Sequence, residues 1–185
     1  MAQLLYSAIT SLDGYSADAG GDFSWGAPDE EVHAAINEQQ RSIGTYLYGR
    51  RMYEIMRFWE SEQAIADDDP IAADYGRIWR AADKVVYSAT LAEASTQHTR
   101  IERSFQPAVV ERLKREAVAD LSIAGATIAA AAFEANLIDE VSFYVTPIVV
   151  GGGLRALPTA SRRHLVLLEQ RSFGSGVVFL RYRPE

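Results

Sequence analysis

The sequence predicts an α/β protein built on one mainly parallel sheet with antiparallel strands at one end. Three observations lead there. Short β-rich runs alternate with helix-patterned stretches along the chain, an order that produces parallel strands joined by helical crossovers. Two strand ends carry glycine just before a helix, in Tyr46-Leu47-Tyr48-Gly49-Arg50-Arg51 and in Leu121-Ser122-Ile123-Ala124-Gly125-Ala126-Thr127. The last two β-rich runs are separated by Phe173-Gly174-Ser175-Gly176, turn chemistry suited to an antiparallel hairpin.

Each element has its own justification. Leu4 to Ile9 is a β-rich run ended by the turn residues Asp13-Gly14. Residues 10–28 are expected as a long loop in which Tyr15, Phe23 and Trp25 stand between Gly14, Gly20, Gly21 and Gly26; loops of that length are often functional. A helix is expected from Pro28, because proline suits the first helical position and Asp29, Glu30 and Glu31 complement the positive end of the helix dipole. Val32, Ala35, Ile36 and Gln39 then recur at the spacing of one helical face. Thr45–Tyr48 reads as a strand, followed by a helix from Met52 to about Glu62, an acidic loop from Ala64 to Pro70 and a helix near Ile71–Ala82. Strands follow at Lys84–Ser88 and Thr99–Arg103, then a helix at Pro107–Glu116, a strand at Asp120–Ala124 and an alanine-rich helix reaching Asn136. Glu140–Thr146 alternates Val141, Phe143 and Val145 with polar neighbours, and the closing hairpin occupies about 164–171 and 176–183.

Composition bounds the function. A chain of 185 residues with 48% hydrophobic and 23% charged residues is expected to fold as one domain over 1–185 with an adequate core. No internal repeat or low-complexity tract interrupts it. The absence of cysteine removes disulfides, thiolate nucleophiles, zinc ribbons and iron–sulfur clusters. A net charge of −7 disfavours nucleic acid or anionic lipid as the main partner. The first residues lack a basic leader, and no apolar run reaches the roughly 18 residues of a membrane span, so a cytoplasmic protein is expected.

The two glycine junctions are the first candidates for chemistry. A small residue there lets an anionic phosphate approach backbone N–H groups at a helix start, and Arg50 and Arg51 add charge. Glycine as a plain turn former is the competing reading. Asp29 and Glu30 at a helix start are able to hold a ring edge or relay a proton, against the simpler role of balancing the helix dipole. Asp13 is a turn former first and a ligand second. His33, His98 and His164 have no metal-ligand spacing, Asp67-Asp68-Asp69 lacks the alternation of a calcium loop, and no metal site is expected. There is no G-x-S-x-G elbow, Walker motif or G-x-G-x-x-G fingerprint. A phosphate-bearing ligand with no self-sufficient catalytic group points to chemistry supplied by a cofactor.

The order of motifs resembles the dihydrofolate-reductase-like superfamily, in the branch of the riboflavin-biosynthesis reductase (RibD C-terminal) domain. The matching pieces are Ser11-Leu12-Asp13-Gly14-Tyr15, Gly49-Arg50-Arg51-Met52-Tyr53-Glu54, Lys84-Val85-Val86-Tyr87-Ser88, Asp120 to Gly125, Leu137-Ile138-Asp139-Glu140 and Pro147 to Gly153. The resemblance implies a three-layer fold with an eight-stranded sheet and an NADPH site along the strand ends. It implies cofactor contacts at Gly49, Arg50 and Arg51, at Ser88 and Thr90, at Gly125, Ala126 and Thr127, and at Ala8, Ile9 and Leu12 beside the nicotinamide. It further implies Asp13 and Glu30 as catalytic candidates, with Trp25, Asp29 and Thr146 on the substrate side and Thr146 as the hydrogen-bond partner of Glu30. The implied activity is NADPH-dependent hydride transfer to a C=O or C=N carbon of a small pyrimidine or pterin-like molecule, by a homodimer. A dihydrofolate or pterin reductase and a non-catalytic NADP-binding module are the alternatives.

Overall fold

The computed structural model describes residues 1–66, 68–158 and 162–185. In chain order the strands are β1 (Leu4–Ser11), β2 (Tyr15–Ala17), β3 (Ile43–Gly49), β4 (Asp83–Tyr87), β5 (Thr99–Glu102), β6 (Asp120–Ala124), β7 (Glu140–Thr146), β8 (Leu154–Arg155), β9 (Leu165–Ser172) and β10 (Val178–Pro184). The helices are α1 (Glu30–Gln40), α2 (Arg50–Met56), α3 (Glu62–Ile65), α4 (Pro70–Ala81), α5 (Pro107–Glu116) and α6 (Ala126–Glu134). Eight strands form one sheet in the order β5-β4-β3-β6-β1-β7-β10-β9. Pairing is parallel from β5 to β7, and β10 and β9 add antiparallel at one edge. The α/β sheet with its terminal hairpin is therefore as the sequence predicts.

Side-chain alternation splits the core into two layers. On one face Leu4, Tyr6, Leu47, Val85, Leu121, Ile123 and Val141 pack beneath α5 and α6, which contribute Val110, Ile128, Ala129, Ala132 and Phe133. On the other, Tyr46, Tyr48 and Val86 meet Tyr53 of α2 and Tyr75 and Trp79 of α4. Tyr46 and Tyr48, two residues apart on β3, stack with ring centroids 5.4 Å apart. α1 covers the β7–β10 end of this face, where Val32 meets Tyr144, Phe173 and Phe179.

Two buried lysines lie in these layers, each with partners that offset its desolvation. Lys84 on β4 places its ammonium 4.4 Å over the Trp79 ring and donates to the carbonyls of Trp79 and Arg80 at 3.3 and 3.4 Å, closing the C-terminal end of α4. Burial still lowers its pKa. Lys114 pairs with Asp139 at 2.5 Å and donates to the Leu137 carbonyl at 2.9 Å. Asp139 in turn accepts the Leu4 N–H at 2.6 Å, tying the start of β1 to the turn before β7.

Four local expectations are corrected. Residues 10–28 are not one open loop: β1 runs to Ser11, β2 pairs with β8 as a small antiparallel ribbon, and Ser24–Gly26 forms a 3-10 turn. That pairing joins segments far apart in sequence, which local periodicity does not report. The first helix starts at Glu30 rather than Pro28, because Asp29 is its N-cap, accepting the Val32 N–H at 2.8 Å. The helix expected from Met52 to Glu62 begins earlier, at Arg50, and breaks at Met56 into a 3-10 turn over Arg57–Glu60. The expected acidic loop loses Ala64 and Ile65 to α3, which Ser61 caps by accepting the Ala64 N–H. Asp67 of the acidic triplet lies outside the described residues.

Candidate active site

Chain topology puts a switch point, the crevice position of an open α/β sheet, at the C-terminal ends of β3 and β6. From β3 the chain turns into α2 on one face of the sheet, and from the neighbouring β6 it turns into α6 on the other. Adjacent strands whose connections diverge in this way leave the place where open α/β sheets bind ligands. Gly49 and Gly125 stand on its two lips. Gly125 has φ +114°, a conformation that favours glycine, and a Cβ there would lie 3.0 Å from the Gly49 nitrogen and 3.2 Å from its Cα. The two backbones are thus in direct contact, with no side chain between them.

Both helices that leave this crevice start without a side-chain cap: neither Gly49 nor Gly125 offers one. The opening N–H groups of α6, at Ala126, Thr127 and Ile128, therefore remain as donors at the positive end of a helix dipole, the arrangement that receives a phosphate. Ala126 is half-buried and Thr127 exposed. This pair of uncapped, glycine-led helix starts fits a dinucleotide pyrophosphate.

Beside it, the chain leaving β4 makes a tight turn. The Ser88 hydroxyl accepts the N–H groups of Thr90 and Leu91 at 3.3 and 3.0 Å. Arg50 crosses to this turn and donates to the Thr90 hydroxyl at 2.7 Å while pairing with Glu54 at 2.7 Å. Arg50, Ser88 and Thr90, separated by about forty positions in sequence, are brought together. Arg51 is exposed. Sequence reasoning missed Arg103, which follows β5 and donates to the carbonyls of Ser88 and Leu91 at 3.2 and 2.6 Å. The only available signal was a basic residue closing a short predicted strand.

The side around β1 and β7 is built differently. Ile9, near the end of β1, packs against Gly26 of the 3-10 turn, where a Cβ would lie 3.1 Å from its Cγ2. Ala8 is half-buried, and Leu12, 67% exposed, donates its N–H to the Ile148 carbonyl at 2.8 Å. Asp13 accepts the N–H groups of Val150 and Gly151 at 3.1 and 2.7 Å. Hydrogen bonds from the Ser11 hydroxyl and these amides hold its carboxyl below the usual aspartate range. It is ionised at neutral pH and acts as a clamp between two loops. Further along that loop, Gly153 lies against the backbone of Ala17 and Asp18 so closely that no Cβ fits.

The acids of α1 divide their tasks. Asp29 caps the helix, and the Ser175 hydroxyl of the closing hairpin lowers its pKa. Glu31 pairs with Arg171 at 3.0 Å and accepts the Gly174 N–H at 3.1 Å. Glu30, at the first turn and exposed, makes no hydrogen bond or ion pair among the described residues. Thr146 is buried at the end of β7 and donates to the Thr10 carbonyl at 2.9 Å, so the expected Glu30–Thr146 hydrogen bond is not made. Both groups are served elsewhere: Glu30 faces water, and Thr146 is spent stitching β7 to β1. Trp25 sits in the 3-10 turn with its indole N–H on the Asp22 carbonyl at 3.0 Å.

Comparison with known proteins now decides the family. The family model of the RibD C-terminal domain matches residues 2–179. The chain belongs to that family. YyaP, an uncharacterized protein of Bacillus subtilis strain 168, is 24% identical over 182 residues, covering 97% of this chain and 94% of that one. A Shewanella sp. PV-4 protein assigned to riboflavin biosynthesis has a similar structure, with TM-score 0.75 and 19% identity over 100% of this chain and 99% of its own. The diaminohydroxyphosphoribosylaminopyrimidine deaminase/5-amino-6-(5-phosphoribosylamino)uracil reductase of Thermotoga maritima aligns with TM-score 0.68 and 13% identity. There the match covers 100% of this chain but 57% of the larger protein.

Proposed function

We propose that this protein is an NADPH-dependent reductase that delivers hydride to an electron-poor C=O or C=N carbon of a small planar acceptor. The acceptor class is the ribosylamino-pyrimidine type of the riboflavin pathway. The observation that carries the reading is the Gly49–Gly125 contact with its two uncapped helix starts, beside the Arg50–Thr90 bond. Family membership and the reductase named among the structural neighbours support the same class of chemistry.

NADPH, when bound, supplies the hydride. The chain's own residues bind and orient. The α6 N–H groups and the Gly49 turn receive the pyrophosphate, with Ala126 and Thr127 at its edge. Arg50, Arg51, Ser88 and Thr90 hold the adenosine end, and Ala8, Ile9 and Leu12 border the nicotinamide. Positioning of this kind lowers the barrier without a protein nucleophile. Asp13 holds the loop 150–151 in place rather than donating a proton, because its carboxyl is kept ionised. Glu30, the acid left without a partner, or water held by it, conveys the proton, with Trp25, Asp29 and Thr146 on the acceptor side.

The edge strand β9 supports association into a homodimer: Leu165, Leu167 and Leu168 are 37%, 47% and 42% exposed on a strand whose outer edge is unpaired among the described residues. Sedimentation of the wild type against Leu167→Lys checks this, and a monomer in both removes it.

The reaction is tested by following NADPH absorbance with an aminopyrimidine, with dihydrofolate and with small carbonyl compounds, in wild type and Glu30→Gln. Oxidation with the pyrimidine, reduced at least tenfold in the variant, is expected. Turnover only with dihydrofolate moves the protein to the pterin reductases. NADPH binding without any turnover leaves a cofactor-binding module.

A further inference from the structure

Within the reading of the crevice as an NADPH site, we infer that Arg103, rather than Arg50, is the residue that selects a 2′-phosphorylated adenosine over the unphosphorylated one.

Two guanidinium groups grip the same short turn, residues 88–91, from different strands. Arg50 reaches it through the Thr90 hydroxyl at 2.7 Å, and Arg103 through the carbonyls of Ser88 and Leu91 at 3.2 and 2.6 Å. Their charges are not equivalent. Arg50 carries a carboxylate partner, Glu54, at 2.7 Å, so its positive charge is largely matched before any ligand arrives. Arg103 bonds only neutral carbonyl oxygens and makes no ion pair among the described residues.

Geometry adds to charge. Both carbonyl contacts of Arg103 use one terminal nitrogen, Nη1, which fixes the plane of the guanidinium. The N–H groups of Nε and Nη2 remain free for a planar fork toward an anion. The same turn presents the Ser88 and Thr90 hydroxyls, with Ser88 held as an acceptor of two backbone N–H groups. A pre-ordered cation next to two hydroxyls, without a neighbouring carboxylate bond, is a site for a dianionic phosphate monoester. An unphosphorylated ribose gains nothing from the charge.

The test uses the full chain and two fragments, 2′,5′-ADP and 5′-AMP, alongside NADPH and NADH, by titration calorimetry. Wild type, Arg103→Met, Arg103→Lys and Arg50→Met are compared, with melting temperature as the check on folding. The expected result is that Arg103→Met weakens 2′,5′-ADP and NADPH about ten- to a hundredfold, as loss of charge-assisted hydrogen bonds does, with 5′-AMP and NADH unchanged. Arg103→Lys recovers part of the loss. Arg50→Met weakens all four ligands by a similar, smaller factor. If Arg103→Met lowers all four equally, or lowers none, Arg103 is a pin for the turn and the inference fails while the NADPH reading stands. If wild type binds no nucleotide, the NADPH reading fails and the inference falls with it.

Discussion

The two sides of the crevice are made by different means. On the β3–β6 side the site is local backbone: a strand ends, a glycine turns, and a helix begins with free N–H groups, at Gly49 and again at Gly125. On the β1–β7 side the site is held by contacts across the whole chain. Asp13 bonds Val150 and Gly151, Gly153 lies against Ala17, Glu31 meets Arg171, and Asp29 meets Ser175. The first kind of site is nearly fixed by residue types and their spacing. The second depends on which distant segments meet, and it is the side proposed to meet the acceptor.

The largest effect that separates the two sides is expected from Gly125→Val. A branched side chain at φ +114°, pressed on the Gly49 backbone, costs about 2–3 kcal/mol and forces the two helix starts apart. Thermal unfolding is expected to report a clear loss of stability, and titration a loss of nucleotide binding beyond a hundredfold. A variant that still binds NADPH normally removes the β3–β6 half of the account.

Asp139→Ala supplies the contrast at the opposite end of the sheet. It leaves the buried Lys114 ammonium without its partner and the Leu4 N–H unbonded, at a cost of about 2 kcal/mol once the partial exposure of Asp139 is allowed for. The melting temperature is expected to fall while the NADPH-to-NADH preference stays constant. A changed preference would couple the base of the sheet to the crevice.

What the sequence made legible follows the same division. The strand–glycine–helix junctions, the helix at Pro107–Glu116 and the strand at Glu140–Thr146 are visible because spacing within ten residues determines them. The β2–β8 ribbon is not visible, since its strands have three and two residues and pair across more than a hundred positions. Asp13 is readable as a turn residue, but its bond to Gly151 is not. Asp29 and Glu30 differ by one position, about 100° around a helix, and only the observed cap assigns the first to the helix and leaves the second free. Arg103 escaped because nothing local marks an arginine whose partners are carbonyls on another strand's turn.

Smaller effects sharpen the β1–β7 side. Glu31→Gln breaks an ion pair whose two side chains are each 50% exposed, so stability is expected to fall by no more than about 0.5 kcal/mol. Hydrogen exchange at Gly174 is expected to accelerate nonetheless, because the variant weakens the acceptor of its N–H. Unchanged protection there would separate α1 from the hairpin.

Acid provides the mildest perturbation. The Asp13 carboxyl is held below its unfolded value of 3.8, so its bonds stabilise the loops above that pH and are lost as pH falls through the folded pKa. Protection of the Val150 and Gly151 amides, relative to their intrinsic exchange rates, is expected to fall over that range below pH 3.8. Asp13→Asn is expected to abolish that dependence, and a dependence that survives the substitution would assign it to another group.

The central claim is that the Gly49–Gly125 crevice holds NADPH, and direct titration of the wild-type chain with NADPH and NADH, read by tryptophan fluorescence, tests it first. Micromolar NADPH binding, weaker for NADH and abolished by Gly125→Val, is the result the account predicts. Binding of neither nucleotide by the folded wild type contradicts it.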